Sequence, residues 1–353
     1  YAGGYYPGYS GSFRSNAGKH YETGYEGSRK IMSKQAEKKF NFGQFYGKYG
    51  IALIFVVIFI AASLFVPGFL STYNLKSILL AIACTTVLGF GATFIIILGH
   101  INIAYGSEIA FIGCIACMVD VATGSVWAAI AVALVIGVVL GALTGFIITK
   151  FSIPAFIMTL ALTEAARGGA VLVTKGNTIS GISSGFTFMG QGYVGPIPMA
   201  VIILLICFAI MWVILNKTPY GRYIYAVGGN SKAAEASGIS PKSVTFKAYL
   251  LDGALVGVGS LLLMGRLNSG VPGAGLSYEM DAITAVIVGG TSMSGGSGTL
   301  LGTLVGAIIV GIINNVQTLM GVDSNIQKIV KGVIIVGAVI IDVVTKNSAK
   351  KAR

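Results

Sequence analysis

Three ionisable side chains inside long apolar stretches are the first residues of this sequence whose chemistry needs an explanation. Glu164 and Arg167 are three positions apart, so on a helix they share one face and can neutralise each other. Asp252 falls about two turns into another apolar stretch, where a carboxylate is costly and marks a polar route. The spacing predicts a buried ion pair between Glu164 and Arg167, and a pathway role for Asp252.

Three asparagines, Asn102, Asn268 and Asn315, extend this polar set. An amide side chain both donates and accepts hydrogen bonds, as the hydroxyl groups of a small polar solute require. A route that must release its solute binds it weakly. We therefore expect these asparagines, with Asp252, to line a passage without forming a tight site.

Other reactive motifs are incomplete. The glycine-rich run 289–302 lacks the lysine of a P-loop, so it predicts no ATP site and is better explained as a flexible break or tight packing. The only histidines are His20 and His100, and no metal-ligand set or nucleophile–base pair can be named. Cys114 and Cys117 lie in apolar surroundings that favour helix packing over metal or redox chemistry. The sequence predicts no catalytic residue, no metal and no cofactor.

The composition places these residues in a membrane protein. Of 353 residues, 55% are hydrophobic and only 10% are charged, whereas soluble domains carry roughly 25% charged residues. Glycine, with 50 residues, recurs inside the apolar stretches, where small residues let neighbouring helices approach closely. We predict an all-α polytopic bundle surrounded by membrane lipid.

The apolar stretches are each long enough, at about 20 residues, to cross a hydrocarbon core of roughly 30 Å. Ten can be placed, at approximately 49–66, 76–98, 106–122, 126–149, 154–174, 197–215, 245–266, 277–290, 299–319 and 326–344. An even number such as ten spans returns the chain to the side where it began, so both termini are expected on the same side of the membrane.

The basic residues set the expected orientation. The formal net charge is +12, with eight cations before residue 49, five between residues 216 and 247, and four in the last eight residues. These groups flank apolar spans, which is the positive-inside pattern of cytoplasmic segments and not a nucleic-acid footprint. Both termini and the segment 216–244 are predicted to be cytoplasmic, and no nucleic-acid partner is expected.

The chain divides into three parts by composition. Residues 1–47 are rich in Tyr, Gly and Ser and lack apolar periodicity, which predicts a disordered cytoplasmic arm. Residues 48–345 form the membrane domain, and residues 346–353 a basic cytoplasmic tail.

The long inner segment is the best candidate for contact with a soluble partner. Its sequence predicts a short helix, opened by Asn230 or Ser231 as N-cap and closed by Gly238. A partner's groove could grip one surface of such a helix, although a solvated loop with an incidental helical turn is the alternative. The proposed contact residues are Ala233, Ala234, Glu235 and Gly238.

Two alanines followed four residues later by glycine, as in Ala233, Ala234 and Gly238, resemble the cytoplasmic loop by which ABC importer permeases dock on their ATPase. The sequence is similar to the ribose/galactoside class of these permeases over roughly residues 50–345. Further segments that carry the resemblance are Ser152-Ile-Pro-Ala-Phe-Ile-Met-Thr-Leu160, Ala166-Arg-Gly168, Tyr278-Glu-Met-Asp-Ala-Ile283, Val288-Gly-Gly-Thr-Ser-Met-Ser-Gly-Gly-Ser-Gly298, Asn314-Asn315 and Lys331-Gly332.

The resemblance implies the permease subunit of an ATP-driven monosaccharide importer in the bacterial inner membrane, working by alternating access. The implied partners are an ABC-type ATPase, an extracytoplasmic sugar-binding protein and a second copy of the chain. The sugar stays open among ribose, galactose and xylose.

An ion- or proton-coupled secondary transporter of small polar solutes is the alternative function. Such carriers use paired carboxylates or broken helices at mid-membrane, often in two repeated halves. No internal repeat is visible here. A membrane enzyme is set aside because no catalytic set can be named.

Overall fold

The computed structural model describes residues 3–4 and 42–351 of the chain. The chain divides into two units after Gly50, and the second unit, Ile51–Arg353, contains all the sites discussed below.

Most of the predicted arm, residues 1–47, lies outside the described residues, as do the last two residues of the predicted tail. Residues 42–47 of the arm and residues 346–351 of the tail are helical. The first helix already begins at Phe42, and the last helix continues to Lys351. Helix therefore extends into both the predicted arm and the predicted tail.

Thirteen helices and one small hairpin make up the described part of the chain. They are α1 (Phe42–Phe65), α2 (Thr72–Ile97), α3 (Tyr105–Thr123), α4 (Val126–Phe151), α5 (Ala155–Thr174), α6 (Ser184–Gln191), β1 (Tyr193–Val194), β2 (Ile197–Pro198), α7 (Met199–Lys217), α8 (Pro219–Gly229), α9 (Ser231–Ala236), α10 (Pro241–Leu267), α11 (Tyr278–Val288), α12 (Leu300–Leu319) and α13 (Ser324–Lys351). The strands are antiparallel, with Tyr193 opposite Pro198 and Val194 opposite Ile197. The prediction of an all-α polytopic membrane bundle is confirmed.

Seven of the described helices, α2, α3, α4, α5, α7, α10 and α12, are long and apolar enough to cross a membrane. The apolar part of α1, Ile51–Phe65, is shorter, and α11 has only 11 residues. The predicted total of about ten spans, with both termini cytoplasmic, stays a prediction.

Local sequence sets the helix ends. The Ser71 side chain accepts a hydrogen bond from the Asn74 backbone N–H and so caps the start of α2. Ser125 caps α4 in the same way through Ala128. α3 stops at Gly124, whose φ of 65° is a left-handed conformation that glycine adopts without steric cost.

Glycines bring α4 and α10 together backbone to backbone. A Cβ atom on Gly137 would collide with the Gly253 carbonyl oxygen, and one on Gly253 would collide with that of Gly137. Gly141 is similarly placed against the Tyr249 carbonyl. Close approach replaces the hydrophobic force that helices lack in lipid, so the predicted packing role of these glycines is confirmed at this crossing.

The two ends of the bundle differ in what lies across them. α2 and α4 finish, and α5 and α10 begin, around one cavity beside α8 and α9; we call this the α9 end. The opposite end carries α6 and the hairpin. α2 and α10 are the most buried spans, whereas α4, α5 and α7 leave most of their apolar surface uncovered, as lipid-facing helices do.

Candidate functional site

Helices α8 and α9, with the residues that cap them, form an elbow (residues 218–238) across the α9 end. Thr218 caps α8 by accepting from the Gly221 N–H, and Pro219 suits the first helical position because its missing N–H would have no partner there. The Tyr220 hydroxyl donates to the Val244 carbonyl oxygen at 2.9 Å. Burial raises the pKa of Tyr220, so this hydroxyl stays a neutral donor that ties the elbow to α10.

Capping residues at both ends define α9. The Asn230 side chain accepts from the Ala233 N–H at 3.0 Å, so of the two residues that the sequence offered as N-cap, the structure uses Asn230. At the other end Ile239 N–H donates to the Ala234 carbonyl at 3.0 Å, around a Gly238 with φ of +82°. This is the arrangement of a glycine C-cap, and it stops the helix where the sequence predicted.

The outward surface of α9 differs from the predicted one in one residue. Ala233, Glu235 and Gly238 are exposed, and a Cβ atom on Gly238 would meet nothing within 4 Å. Ala234 is only 5% exposed and belongs to the apolar core. Successive helical residues point about 100° apart, so Ala233 faces out while Ala234 anchors the elbow inward; Ala234 is corrected from a contact residue to an anchor.

Close main-chain contacts join the elbow to the bundle at one point, in addition to its side-chain contacts. Gly228 lies so close to the Ile97 carbonyl oxygen that a Cβ atom would not fit between them. The same carbonyl accepts from the Gly296 N–H at 2.8 Å, and the Tyr225 hydroxyl donates to the Gly298 carbonyl at 2.7 Å. We call this contact of α8, the end of α2 and the glycine-rich run the backbone node.

His100 lines the cavity at the α9 end. The cavity, of about 530 Å³, is lined among others by His100, Ser152, Ser231, Lys242 and Thr245. Burial lowers the pKa of His100, which favours a neutral ring, and this ring lies 6.1 Å from that of Tyr249.

Asn102 and Asp252 meet in the interior of the bundle. The Asn102 amide nitrogen donates to Asp252 Oδ2 at 3.0 Å and lies 3.5 Å from Glu108 Oε2. The Tyr105 hydroxyl donates to Asp252 Oδ1 at 2.9 Å. We call Asn102, Tyr105, Glu108 and Asp252 the closed polar cluster, because none is more than 4% exposed.

The closed polar cluster has a structural use. Asn102 Oδ1 accepts from the Ala104 N–H at 2.9 Å, so its two amide atoms hold the α2–α3 connection onto α10. With its groups engaged inside the protein, the cluster offers little to a passing solute. This enclosed position differs from the place on a passage that was predicted for Asn102 and Asp252.

The other two predicted pathway residues lie elsewhere. Asn268 ends α10 with φ of 53°, and its side-chain oxygen accepts from the Thr187 hydroxyl at 2.7 Å. Asn315 exchanges hydrogen bonds of 2.8 and 3.0 Å with Asn74 and lines a cavity at the opposite end. The four predicted residues therefore occupy three separate places.

Glu164 and Arg167 do not form the predicted ion pair in the described part of the chain. The Arg167 guanidinium donates to the carbonyl oxygens of Pro272 and Ala274 at 2.8 and 2.9 Å. Glu164 is exposed on the outer side of α5. Two carbonyls in the α10–α11 connection satisfy the guanidinium in place of the carboxylate.

The cavity at the opposite end, of about 210 Å³, opens between α2, α10, α11 and α12, and we call it the polar cavity. Its polar lining residues are Ser77, Thr85, Arg266, Tyr278, Asp281, Asn314, Asn315 and Thr318. Asp281 forms a 2.6 Å salt bridge with Lys331 of α13, the one salt bridge within the described ranges. Asn314 donates to the same carboxylate at 3.3 Å.

Of the residues that line the polar cavity, the sequence singled out only Asn315, as a candidate for a passage. The available signal was that Arg266, Asp281 and Lys331 are single charges near predicted span ends. Such charges usually reach the membrane surface, and only the fold shows that these three converge.

A bundle of long apolar helices with enclosed polar contacts is the architecture of a multi-pass membrane protein. The profile of the family described as branched-chain amino acid transport system / permease component matches residues 74–339. The chain belongs to this permease family.

Similar proteins cover nearly the whole chain. The ribose import permease protein of Haemophilus influenzae is 37% identical over 315 residues, which cover 88% of this chain and 98% of the relative. That of Bacillus subtilis is 40% identical over 308 residues, covering 87% and 96%. The L-arabinose transport system permease protein of Escherichia coli is 32% identical over 306 residues, covering 87% and 93%.

No solved structure matches the chain. The family and these relatives confirm the predicted resemblance to ABC sugar permeases of the ribose class, and the predicted role as a transport subunit in the bacterial inner membrane.

Proposed function

We propose that this permease carries a monosaccharide across the membrane in a complex with a separate ABC-type ATPase that grips the elbow. The observation that supports this most is the exposed helix α9, presented on an elbow that packs through main-chain atoms against the bundle. The relatives are named as import permeases for ribose and L-arabinose, which supports a pentose or a related sugar as cargo.

The elbow has the form of a handle for a soluble motor. Ala233 and Glu235 project outward, while Ala234 and the α8 residues Ile224 and Val227 are buried. A short helix with small exposed residues fits a groove on a partner. The exposed cations Arg222 and Lys232 support a cytoplasmic position for this end.

The backbone node supplies a route for movement. When the ATPase closes on ATP, a displacement of α9 would push α8 against Ile97 and the glycine-rich run. Main-chain atoms have no rotamers to change, so their contact would transmit the displacement. Packed interfaces shift between discrete arrangements instead of deforming continuously. α2 would pass the movement to the opposite end, so that the bundle alternates between inward-facing and outward-facing states.

The opposite end would receive a sugar-binding protein. The Asp120 carboxylate accepts from the Ser183 N–H at 2.6 Å and from its hydroxyl at 2.8 Å, which fixes the start of α6. A fixed α6 and the hairpin provide a shaped surface for a delivery protein. A second copy of the chain would cover part of the apolar surface left open on the outer helices.

Substitution of Ala233 tests the elbow. Ala233→Arg adds a long side chain to an exposed position, so it should block docking without disturbing the core. We expect ribose uptake to fall at least tenfold in cells that express the permease, the ATPase and the binding protein, and the ATPase should no longer co-purify with the permease.

Ala233→Ser is the matched control and should keep both uptake and co-purification. Normal uptake by the Ala233→Arg variant at equal membrane abundance would contradict docking at α9. Uptake that persists without any ATPase, and collapses with the ion gradient, would instead favour a secondary transporter.

A further inference from the structure

We propose that the polar cavity at the opposite end is a transient binding site for a monosaccharide, held through its hydroxyl groups. This inference rests on the proposed function, because it assigns the cargo a place within the bundle. It is carried by the size, lining and hydrogen bonding of the cavity.

The size of the cavity fits one sugar ring. A volume of about 210 Å³ equals that of roughly seven water molecules at about 30 Å³ each. A space of this size is enough to hold one sugar ring.

The lining offers the chemistry that sugar hydroxyls need. Each hydroxyl donates one hydrogen bond and accepts others. Asn314 and Asp281 present an amide and a carboxylate side by side, 3.3 Å apart. The Ser77 and Thr85 hydroxyls line the same wall and have no hydrogen-bond partner among the described residues, so both are available to a solute.

The cavity lining suits a weakly held cargo, and it contains the cationic Arg266 beside the paired Asp281. The Lys331 ammonium lies 2.6 Å from Asp281 and compensates its charge. Hydroxyl donors and amides in a hydrated cavity contribute only about 0.5–1.5 kcal/mol each, which corresponds to roughly twofold to twelvefold in affinity. A site of this strength can both accept and release its solute, as a transport route requires.

Two adjacent threonines on α2 provide a matched test. Thr85 lines the cavity, whereas the neighbouring Thr86 is buried and donates to the Ile82 carbonyl of its own helix. Thr85→Val and Thr86→Val make the same change one residue apart. The measurement is uptake of radiolabelled D-ribose and L-arabinose by cells with the complete importer, corrected for permease abundance.

We expect Thr85→Val to lower uptake of at least one sugar about threefold to tenfold, Ser77→Ala to act in the same direction, and Thr86→Val to leave uptake unchanged. ATP hydrolysis stimulated by the loaded binding protein should persist in all three variants, because the elbow is intact.

Uptake within twofold of the parent in both cavity variants, or an equal loss in Thr86→Val, would overturn the cavity assignment and leave the proposed function standing. Absence of ATP-dependent uptake in the parent chain itself would reject the proposed function and this inference together.

Discussion

The closed polar cluster and the polar cavity contain similar side chains but use them differently. In the cluster, Asp252 accepts from Asn102 and Tyr105, and no member is exposed above 4%. In the cavity, Ser77 and Thr85 border open space. The hydrogen bonds of the cluster are therefore completed inside the protein, whereas Ser77 and Thr85 have no hydrogen-bond partner among the described residues.

Helix packing follows the same division. The cluster lies between α2, α3 and α10. In the most apolar segment of each helix, 83% of the residues of α2 and 78% of those of α10 are buried. α2 and α10 also border the cavity, where α12 completes the wall with a corresponding share of only 39%. We expect the cluster side to hold the fold together and the cavity side to tolerate change.

The largest effect should come from breaking the cluster. Asp252→Ala leaves the Asn102 amide and the Tyr105 hydroxyl without an acceptor, and each unsatisfied buried group costs about 1–3 kcal/mol. We expect a loss of about 3 kcal/mol, seen as a lower midpoint of thermal unfolding in detergent. Asp252→Asn can still hydrogen-bond both neighbours and should unfold close to the parent midpoint. An unchanged midpoint for Asp252→Ala would show that the cluster does not contribute to stability.

The second largest effect should come from adding a methyl group to a glycine, and it should differ between the cluster side and the cavity side. Gly253→Ala drives its new Cβ into the Gly137 carbonyl, which is backbone and cannot turn away. Gly311→Ala, at the cavity, brings its new Cβ against the Cγ2 methyl of Ile82, a side-chain group that can move by rotation about χ1. Overpacking of this kind costs about 1–3 kcal/mol, so unfolding should begin earlier for Gly253→Ala than for Gly311→Ala. Equal midpoints would erase the proposed difference in packing.

The smallest effect is expected where the two sides touch. The hydroxyls of Thr93 and Thr303 lie 2.6 Å apart in a buried contact between α2 and α12. Thr303→Val removes one hydroxyl at nearly constant volume and should cost about 1 kcal/mol. Thr318→Val, on the exposed end of the same helix, is the control and should unfold like the parent. A loss as large as that of Asp252→Ala would place the critical polar contact here instead.

Much of the fold could be predicted because hydropathy and glycine content report directly on burial in lipid. The apolar stretches near residues 76–98, 126–149 and 245–266 correspond to α2, α4 and α10. The short helix closed by Gly238 was also found, since caps are local signals.

The site was harder to predict because its residues meet only through the fold. Spacing of three placed Glu164 and Arg167 on one helix face, but the bundle supplied the Pro272 and Ala274 carbonyls as better partners for the guanidinium. Asp281 and Lys331 form a salt bridge between two helices although they are 50 positions apart in the chain. Adjacent alanines look equivalent in sequence, and only packing buries Ala234 and exposes Ala233.

The backbone node has a consequence for how such transporters diversify. Its contacts join main-chain atoms of Gly228, Ile97 and Gly296, so the fit is independent of the side chains on the outer face of α9. If the ATPase docks at α9 as proposed, an elbow transferred from a related permease should pack on this bundle and bind the ATPase of that permease. The ATPase that a permease binds and the sugar that it carries would then be able to change independently during evolution.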